Sequence, residues 1–212
     1  MQPRIPVPTI RRLPGYLRLL REAAASRMDF ISGTYLANEL NLEPIQVRKD
    51  LAITGVAGKP RTGFAVRELI NAIESLLGWS NTHDAFLAGV GSLGIALMGY
   101  GGFREYGLEI VAGFDIDKNK IGKTFHGKKV FAMEKLADLV QRLGICTCIL
   151  TVPASAAQAV TDRLIAAGII GIWNFTPAKL QTPDNVIVEK VDLAASLAVL
   201  SSKLQARQAK LI

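Results

Sequence analysis

Between Ala85 and Leu97 the chain reads Ala-Phe-Leu-Ala-Gly-Val-Gly-Ser-Leu-Gly-Ile-Ala-Leu, a short apolar run that enters a Gly-x-Gly-x-x-Gly turn and leaves it as a helical apolar pattern. Few folds accept that join. Gly89 permits a tight turn, Gly91 lets backbone approach a pyrophosphate, and Gly94 lets the helix pack on the strand, so that Val90, Ser92 and Leu93 sit at a helix N-terminus facing phosphates. The next apolar run, 110–114, ends in Asp115, 21 residues beyond Gly94, where an acidic residue is expected to hold an adenosine ribose. A carboxylate there repels a 2′-phosphate, which favours NAD over NADP as the bound cofactor.

Beyond residue 81 strand and helix patterns alternate. Strands are expected over 86–90, 109–114, 129–131, 145–151, 169–173 and 185–188, with helices over 92 to about 106, 133–143 and 154–167. That alternation predicts an α/β, Rossmann-like doubly wound parallel sheet over 81–190, with ligands at the carboxyl ends of the strands. Thr151, Val152, Pro153, Asn174 and Phe175 fall at such ends, and Phe175 could cover a nicotinamide ring. Tyr100 and Phe175, with Thr151 and Pro153, are candidates for sensing the ring. His83 reads as an exposed linker histidine and His126 as part of a turn. Cys146 and Cys148, one residue apart in an apolar strand pattern, read as core thiols on one face, and no metal-ligand spacing accompanies them.

Residues 1–80 carry a different pattern. Helix-like spacing runs from Thr9 to about Ala25, a second short helix over 34–40 has Ser32 or Gly33 near its cap, and Pro44 suits the first turn of a third helix to about Thr54. Three short helices with a three-residue turn between the second and third predict a helix-turn-helix. Val47 and Leu51 face inward, which leaves Gln46, Arg48 and Lys49 as groove-reading types: Arg binds guanine, Gln binds adenine and Lys neutralises phosphate. The following Gly55-Val56-Ala57-Gly58-Lys59-Pro60-Arg61-Thr62-Gly63-Phe64 reads as a wing whose Lys59 and Arg61 meet a phosphate backbone, giving a winged-helix DNA-binding domain over 1–80. A helix over 66–77 closes it, and 78–84 reads as the linker. The net charge of +7 is compatible with an acidic partner such as DNA.

Two long uncharged stretches, 85–103 and 143–161, are interrupted by glycines or by Pro153 and polar residues, and are read as buried units rather than membrane spans. The first eight residues lack a signal-peptide core, so a cytoplasmic location is expected. From 191 to 212, Leu193, Leu197, Leu200 and Leu204 mark an amphipathic tail helix to about Ala209, suited to a partner subunit or to its own domain. No catalytic set accompanies the cradle: neither histidine lies at a strand end beside it and there is no Tyr-x-x-x-Lys. This points to sensing. A small NAD-dependent dehydrogenase, or a DNA-binding regulator sensing an acyl-CoA or another nucleotide, remain alternatives.

In that order the chain resembles the Rex family of bacterial redox-sensing transcriptional repressors. The resemblance is carried by Arg12-Leu13-Pro14-Gly15-Tyr16-Leu17-Arg18, Gln46-Val47-Arg48-Lys49-Asp50-Leu51, the Gly89–Gly94 cradle, Phe114-Asp115-Ile116-Asp117, Leu150-Thr151-Val152-Pro153, Asn174-Phe175-Thr176-Pro177 and Val191-Asp192. It implies a homodimer with an exchanged tail helix (191–212), binding palindromic operator DNA and leaving it when NADH binds. It also implies an operator contact for Arg12, a polar relay through Arg18, Tyr100 and Asp192, the last from the partner chain, and no enzymatic activity. Arg61, Phe64, Ser92 and Leu193 depart from the residues common in the family at those positions.

Overall fold

The computed structural model describes residues 5–208. The chain divides into two compact units, one running to Thr82 and including Glu105–Gly107, the other formed by His83–Arg104 and the residues from Leu108 onward.

The first unit contains α1 (Val7–Ala25), β1 (Phe30–Ile31), α2 (Gly33–Leu40), α3 (Pro44–Ala52), β2 (Phe64–Ala65) and α4 (Val66–Leu77). Its helices start where local chemistry permits. Ser32 caps α2 by accepting a hydrogen bond from Tyr35 N at 3.0 Å, and Pro44, which has no N–H to leave unpaired, opens α3. Leu13, Tyr16, Leu17 and Leu20 of α1 bury one stripe against Leu36, Val47, Leu51, Leu69 and Ile73, a core that draws on all four helices. The wing is a tight three-residue loop: Lys59 N donates to Gly63 O at 2.8 Å, Gly63 N donates to Lys59 O at 2.9 Å, and Arg61 at the tip takes a left-handed backbone (φ 64°). Directly after it β2 pairs antiparallel with β1, anchoring the wing to the helices.

The second unit contains β3 (His83–Ala88), α5 (Ser92–Gly99), β4 (Leu108–Asp115), β5 (Thr124–Phe125), β6 (Lys128–Ala132), α6 (Leu136–Leu143), β7 (Thr147–Leu150), α7 (Ala154–Ala167), β8 (Gly171–Asn174), β9 (Ile187–Lys190) and α8 (Leu193–Gln208). The sheet order is β5-β6-β4-β3-β7-β8-β9, parallel except for β5. Because strand side chains alternate, Phe86 and Ala88 join Phe114, Leu136, Val140 and Leu164 on one face, while Leu87 joins Val90, Met98, Ile110 and Ile149 on the other. The sheet is therefore covered on both sides and doubly wound. Its order reverses at β3, which pairs with β4 on one side and β7 on the other, creating a crevice at the carboxyl ends of β3 and β7.

Several expected boundaries move. The helix expected over 92 to about 106 stops at Gly99; Tyr100 turns extended (ψ 103°) and Gly101–Tyr106 form a 3-10 helix. Glycines at 99, 101 and 102 favour that break. The His126 ring also packs on Gly99, where an added Cβ would lie 2.7 Å from its Nε2. His83 opens β3 rather than lying in a linker, because His83 and Asp84 pair with Leu108 and Glu109. Cys148 is a buried core thiol, pushed up to about 12 by desolvation, whereas Cys146 precedes β7 and is exposed. There the carbonyl of Cys146 turns to accept from Ile170 N and Gly171 N. The last two strands start two residues later than expected, since buried Ile169 and Val186 sit in the approaches to them. The expected end of the tail helix, Ala209, lies outside the described residues.

Candidate functional site

In the second unit the three glycines have separate jobs. Gly89 has φ 98° and lies so near β7 that an added Cβ would be 2.8 Å from Val152 N. Gly94 is closer still, with a Cβ position 2.2 Å from Gly89 O, so α5 and the end of β3 meet backbone to backbone. At Gly91, the residue before the first turn of α5, nothing lies within 4 Å of the added Cβ. The open side faces a cavity of about 600 Å³ lined by Gly89, Gly91, Ser92, Leu93, Asp115, Thr151, Val152, Pro153 and Phe175 among others. That volume lies within the range of small-ligand and cofactor sites. An anionic ligand there would meet the unpaired N–H groups opening α5.

Four of the expected contacts are placed differently. Val90 is buried, and its N–H donates to Asp115 Oδ2 at 2.8 Å, so it braces the acidic residue instead of lining the cavity. Gly94 sits behind the turn, in contact with Gly89. Asn174 is buried: its Oδ1 accepts from Thr176 N at 2.8 Å and its Nδ2 donates to Ala178 O at 3.2 Å, which shapes the loop carrying Phe175. Tyr100, half exposed, stacks edge-on with Phe103 at 4.8 Å and lines a separate cavity with His126, Lys128 and Glu109. Thr151, in contrast, both lines the main cavity and donates to Gly89 O at 2.7 Å, closing the end of β3 onto β7.

Asp115 is 9% exposed. Burial pushes its carboxyl up, but hydrogen bonds from Asp117 N, Lys120 Nζ and Val90 N outweigh it and hold the group below the usual carboxylate range. It is thus an anion, with acceptor capacity left for a ribose hydroxyl. Lys120 was not anticipated. Its Nζ lies 3.1 Å from Asp115 Oδ2 and it lines the cavity, so the repulsion of a 2′-phosphate by Asp115 is opposed at close range by a cation. The signal was its place five residues after the acidic residue, within reach of a short turn.

In the first unit α3 presents Arg48 and Lys49 as exposed cations, and the wing presents Lys59 and Arg61. Lys59 lies 5.6 Å from the centre of the Phe30 ring. Arg12 and Gln46 have partners inside the protein. Arg12 Nε and Nη2 donate to Asp50 at 2.6 and 2.8 Å, and Gln46 Nε2 donates to Asp50 Oδ1 at 3.0 Å. Asp50 also accepts from Thr9 Oγ1 and Tyr16 OH. Burial raises its carboxyl and these donors more than reverse the effect, leaving it lowered; burial and the neighbouring carboxylate push Tyr16 up. Asp50 was missed because charged neighbours disguise it. Its spacing of three from Val47 placed it on the inward side.

The residues expected to form a relay each have a local partner. Arg18 Nη1 pairs with Glu22 at 2.9 Å on the surface of α1, and Asp192 Oδ1 accepts from Ala195 N at 3.0 Å, capping α8. That helix buries none of its side chains among the described residues: Leu193, Leu197, Leu200 and Leu204 are 52–69% exposed.

Two family profiles match the chain, "Putative DNA-binding protein N-terminus" over residues 4–52 and "CoA binding domain" over residues 80–178. A redox-sensing transcriptional repressor Rex of Treponema denticola is 50% identical over 201 residues, covering 95% of this chain and 96% of that protein. The Rex of Bacteroides fragilis is 39% identical over 95% of this chain and 91% of its own length. Among solved structures, RSP, a Rex-family repressor, superposes with a TM-score of 0.88 at 34% identity, covering 97% of this chain and 96% of its own. The same repressor has been solved with NAD⁺ and operator DNA (TM-score 0.88, 35% identity, 97% and 94% coverage) and with NADH (0.88, 33%, 99% and 100%). A winged helix joined to a glycine cradle, matched over nearly its whole length by repressors of one kind, places this chain in the Rex family of redox-sensing transcriptional repressors.

Proposed function

We propose that this protein is a transcriptional repressor that binds palindromic operator DNA as a homodimer in the cytoplasm and is released when NADH occupies the cavity at Gly91. The observation that carries the reading is the open backbone approach at Gly91, facing that cavity, in a chain whose other unit is a winged helix. The division of labour is 1–80 for DNA, 81–190 for NAD(H) and 191–212 for dimerisation. Gly89, Gly91, Ser92 and Leu93 hold the pyrophosphate, and Asp115 holds the ribose. Thr151, Val152, Pro153 and Phe175 surround the nicotinamide end. Val90, Gly94 and Asn174 shape that cradle from behind. Arg48, Lys49, Lys59 and Arg61 face the duplex, and Gln46 reads a base while Arg12 buttresses α3.

NADH and NAD⁺ differ by a hydride and one positive charge on the ring, so discrimination sits at the nicotinamide end. To empty the operator, NADH must bind the DNA-incompetent state better. By linkage, DNA then weakens NADH by the same factor, about 5- to 150-fold per cofactor for an ordinary coupling energy. Titrating NADH into an operator complex at fixed salt tests this: affinity for DNA falls as NADH saturates, and an unchanged affinity overturns the sensing role. Acetyl-CoA in place of NADH leaves the complex intact.

The exposed leucines of α8 support an exchanged helix, which brings Asp192 to the partner's Arg18 and Tyr100. Asp192→Ala accordingly keeps NADH binding near normal and blunts the release of DNA. A full wild-type response in that variant removes the relay.

A further inference from the structure

We propose that Asp50 sets the base preference of α3 by fixing the side-chain amide of Gln46. The inference rests on the DNA-reading role proposed for α3 and assigns a residue that touches no DNA as its positioning residue.

Asp50 is 1% exposed and faces four donor side chains: Thr9 Oγ1 at 3.0 Å, Arg12 Nε and Nη2 at 2.6 and 2.8 Å, Tyr16 OH at 2.9 Å and Gln46 Nε2 at 3.0 Å. Three of these come from α1, and Gln46 lies one turn before Asp50 on α3 itself. An ionised carboxylate only accepts hydrogen bonds. The amide of Gln46 is therefore chemically oriented: the NH₂ group must face Asp50, and Oε1 must face away from it. A solvent-exposed glutamine has no such restriction and presents either end.

The consequence concerns which base edge Gln46 can read. With Oε1 outward and one N–H held by Asp50, the amide offers an acceptor, with its second N–H beside it. That order matches the adenine N6 amino group and N7, or the cytosine amino group through Oε1 alone. The reversed amide would offer a donor where the acceptor now stands, and would favour the acceptor edges of guanine or thymine. Arg12 adds to the restraint, since its two-pronged contact holds the carboxylate itself in one orientation.

The test uses the full-length protein. Selection from a random duplex library first defines the wild-type site, and variant affinities are then measured on duplexes carrying each base at each position of a half-site. In Asp50→Asn the neighbouring group can donate as well as accept, and the amide of Gln46 is freed to reverse. We expect Asp50→Asn and Gln46→Ala to lose discrimination at the same base pair, by about ten-fold. The double variant loses no more than either alone, and discrimination at other positions is retained. Losses at different positions, additive losses, or unchanged discrimination in Asp50→Asn overturn the inference.

Should Asp50→Asn not fold, the wild-type Gln46 amide decides in an NMR spectrum. Two distinct, exchange-protected amide protons, one shifted by the carboxylate, support the inference, whereas a pair at free-glutamine positions overturns it. A wild-type protein that selects no sequence at all instead refutes the DNA-reading role on which the inference stands.

Discussion

Replacing Gly94 by alanine blunts the response to NADH, so that release needs far more of it, while leaving operator binding in place. The added Cβ would sit 2.2 Å from Gly89 O, and both atoms belong to backbone, so no rotamer change relieves the overlap. Either α5 moves away from β3 or the turn opens, and in both cases the N–H groups proposed to hold the pyrophosphate lose their shared aim. Overpacking of this kind costs about 1–3 kcal/mol, which corresponds to a loss of NADH affinity of about 5- to 150-fold when it falls on the cradle. The winged helix lies in the other compact unit and keeps its own core. Calorimetry with NADH and a DNA titration in its presence check the two halves separately. Wild-type NADH affinity in Gly94→Ala would mean that the cradle does not hold the cofactor.

Replacing Asp50 by alanine is the most damaging change expected in the first unit. It leaves Arg12, a side chain only about a quarter exposed, without its carboxylate, and takes from the buried Tyr16 and Thr9 hydroxyls the acceptor of their protons. Breaking such a pair from one side costs about 3–5 kcal/mol. The pH dependence has a definite sign. Asp50 is held below its unfolded value, so its contribution is fully present above the unfolded carboxylate pKa of about 4 and is lost as pH falls through the folded value. Urea unfolding followed from neutral to acidic pH should show that loss in the wild type and a flatter acid limb in Asp50→Ala. Equal midpoints for the two proteins at pH 7 would contradict the role given to the network.

What the sequence made legible was whatever short-range chemistry controls. Ala154–Ala167 and Val66–Leu77 have the bounds expected from their apolar spacing, each ending at a left-handed glycine. The glycine turn of the cradle announced itself because only one residue type tolerates those backbone contacts. The extent of α5 was hidden, since the apolar pattern continues past Gly99 while the chain does not. Asp50 and Lys120 were hidden for another reason: a charged residue looks solvated until its partners are known. The partners of Asp50 lie up to 41 positions away. Gln46 and Arg12 are expected from the sequence to lie near a duplex, but which of their atoms remain available depends on that distant carboxylate.

The leucines of α8 carry a last consequence. In the homodimer proposed above, a helix that exposes Leu193, Leu197, Leu200 and Leu204 within its own chain gains its packing by mass action as two chains share it. Dilution would then weaken the protein and the switch together, because a lone chain has neither a covered helix nor a second half-site reader. The thermal midpoint should rise with protein concentration, and the apparent NADH threshold on DNA should depend on how much of the protein a cell contains. The abundance of the repressor would thus join the cofactor ratio as a setting of the circuit.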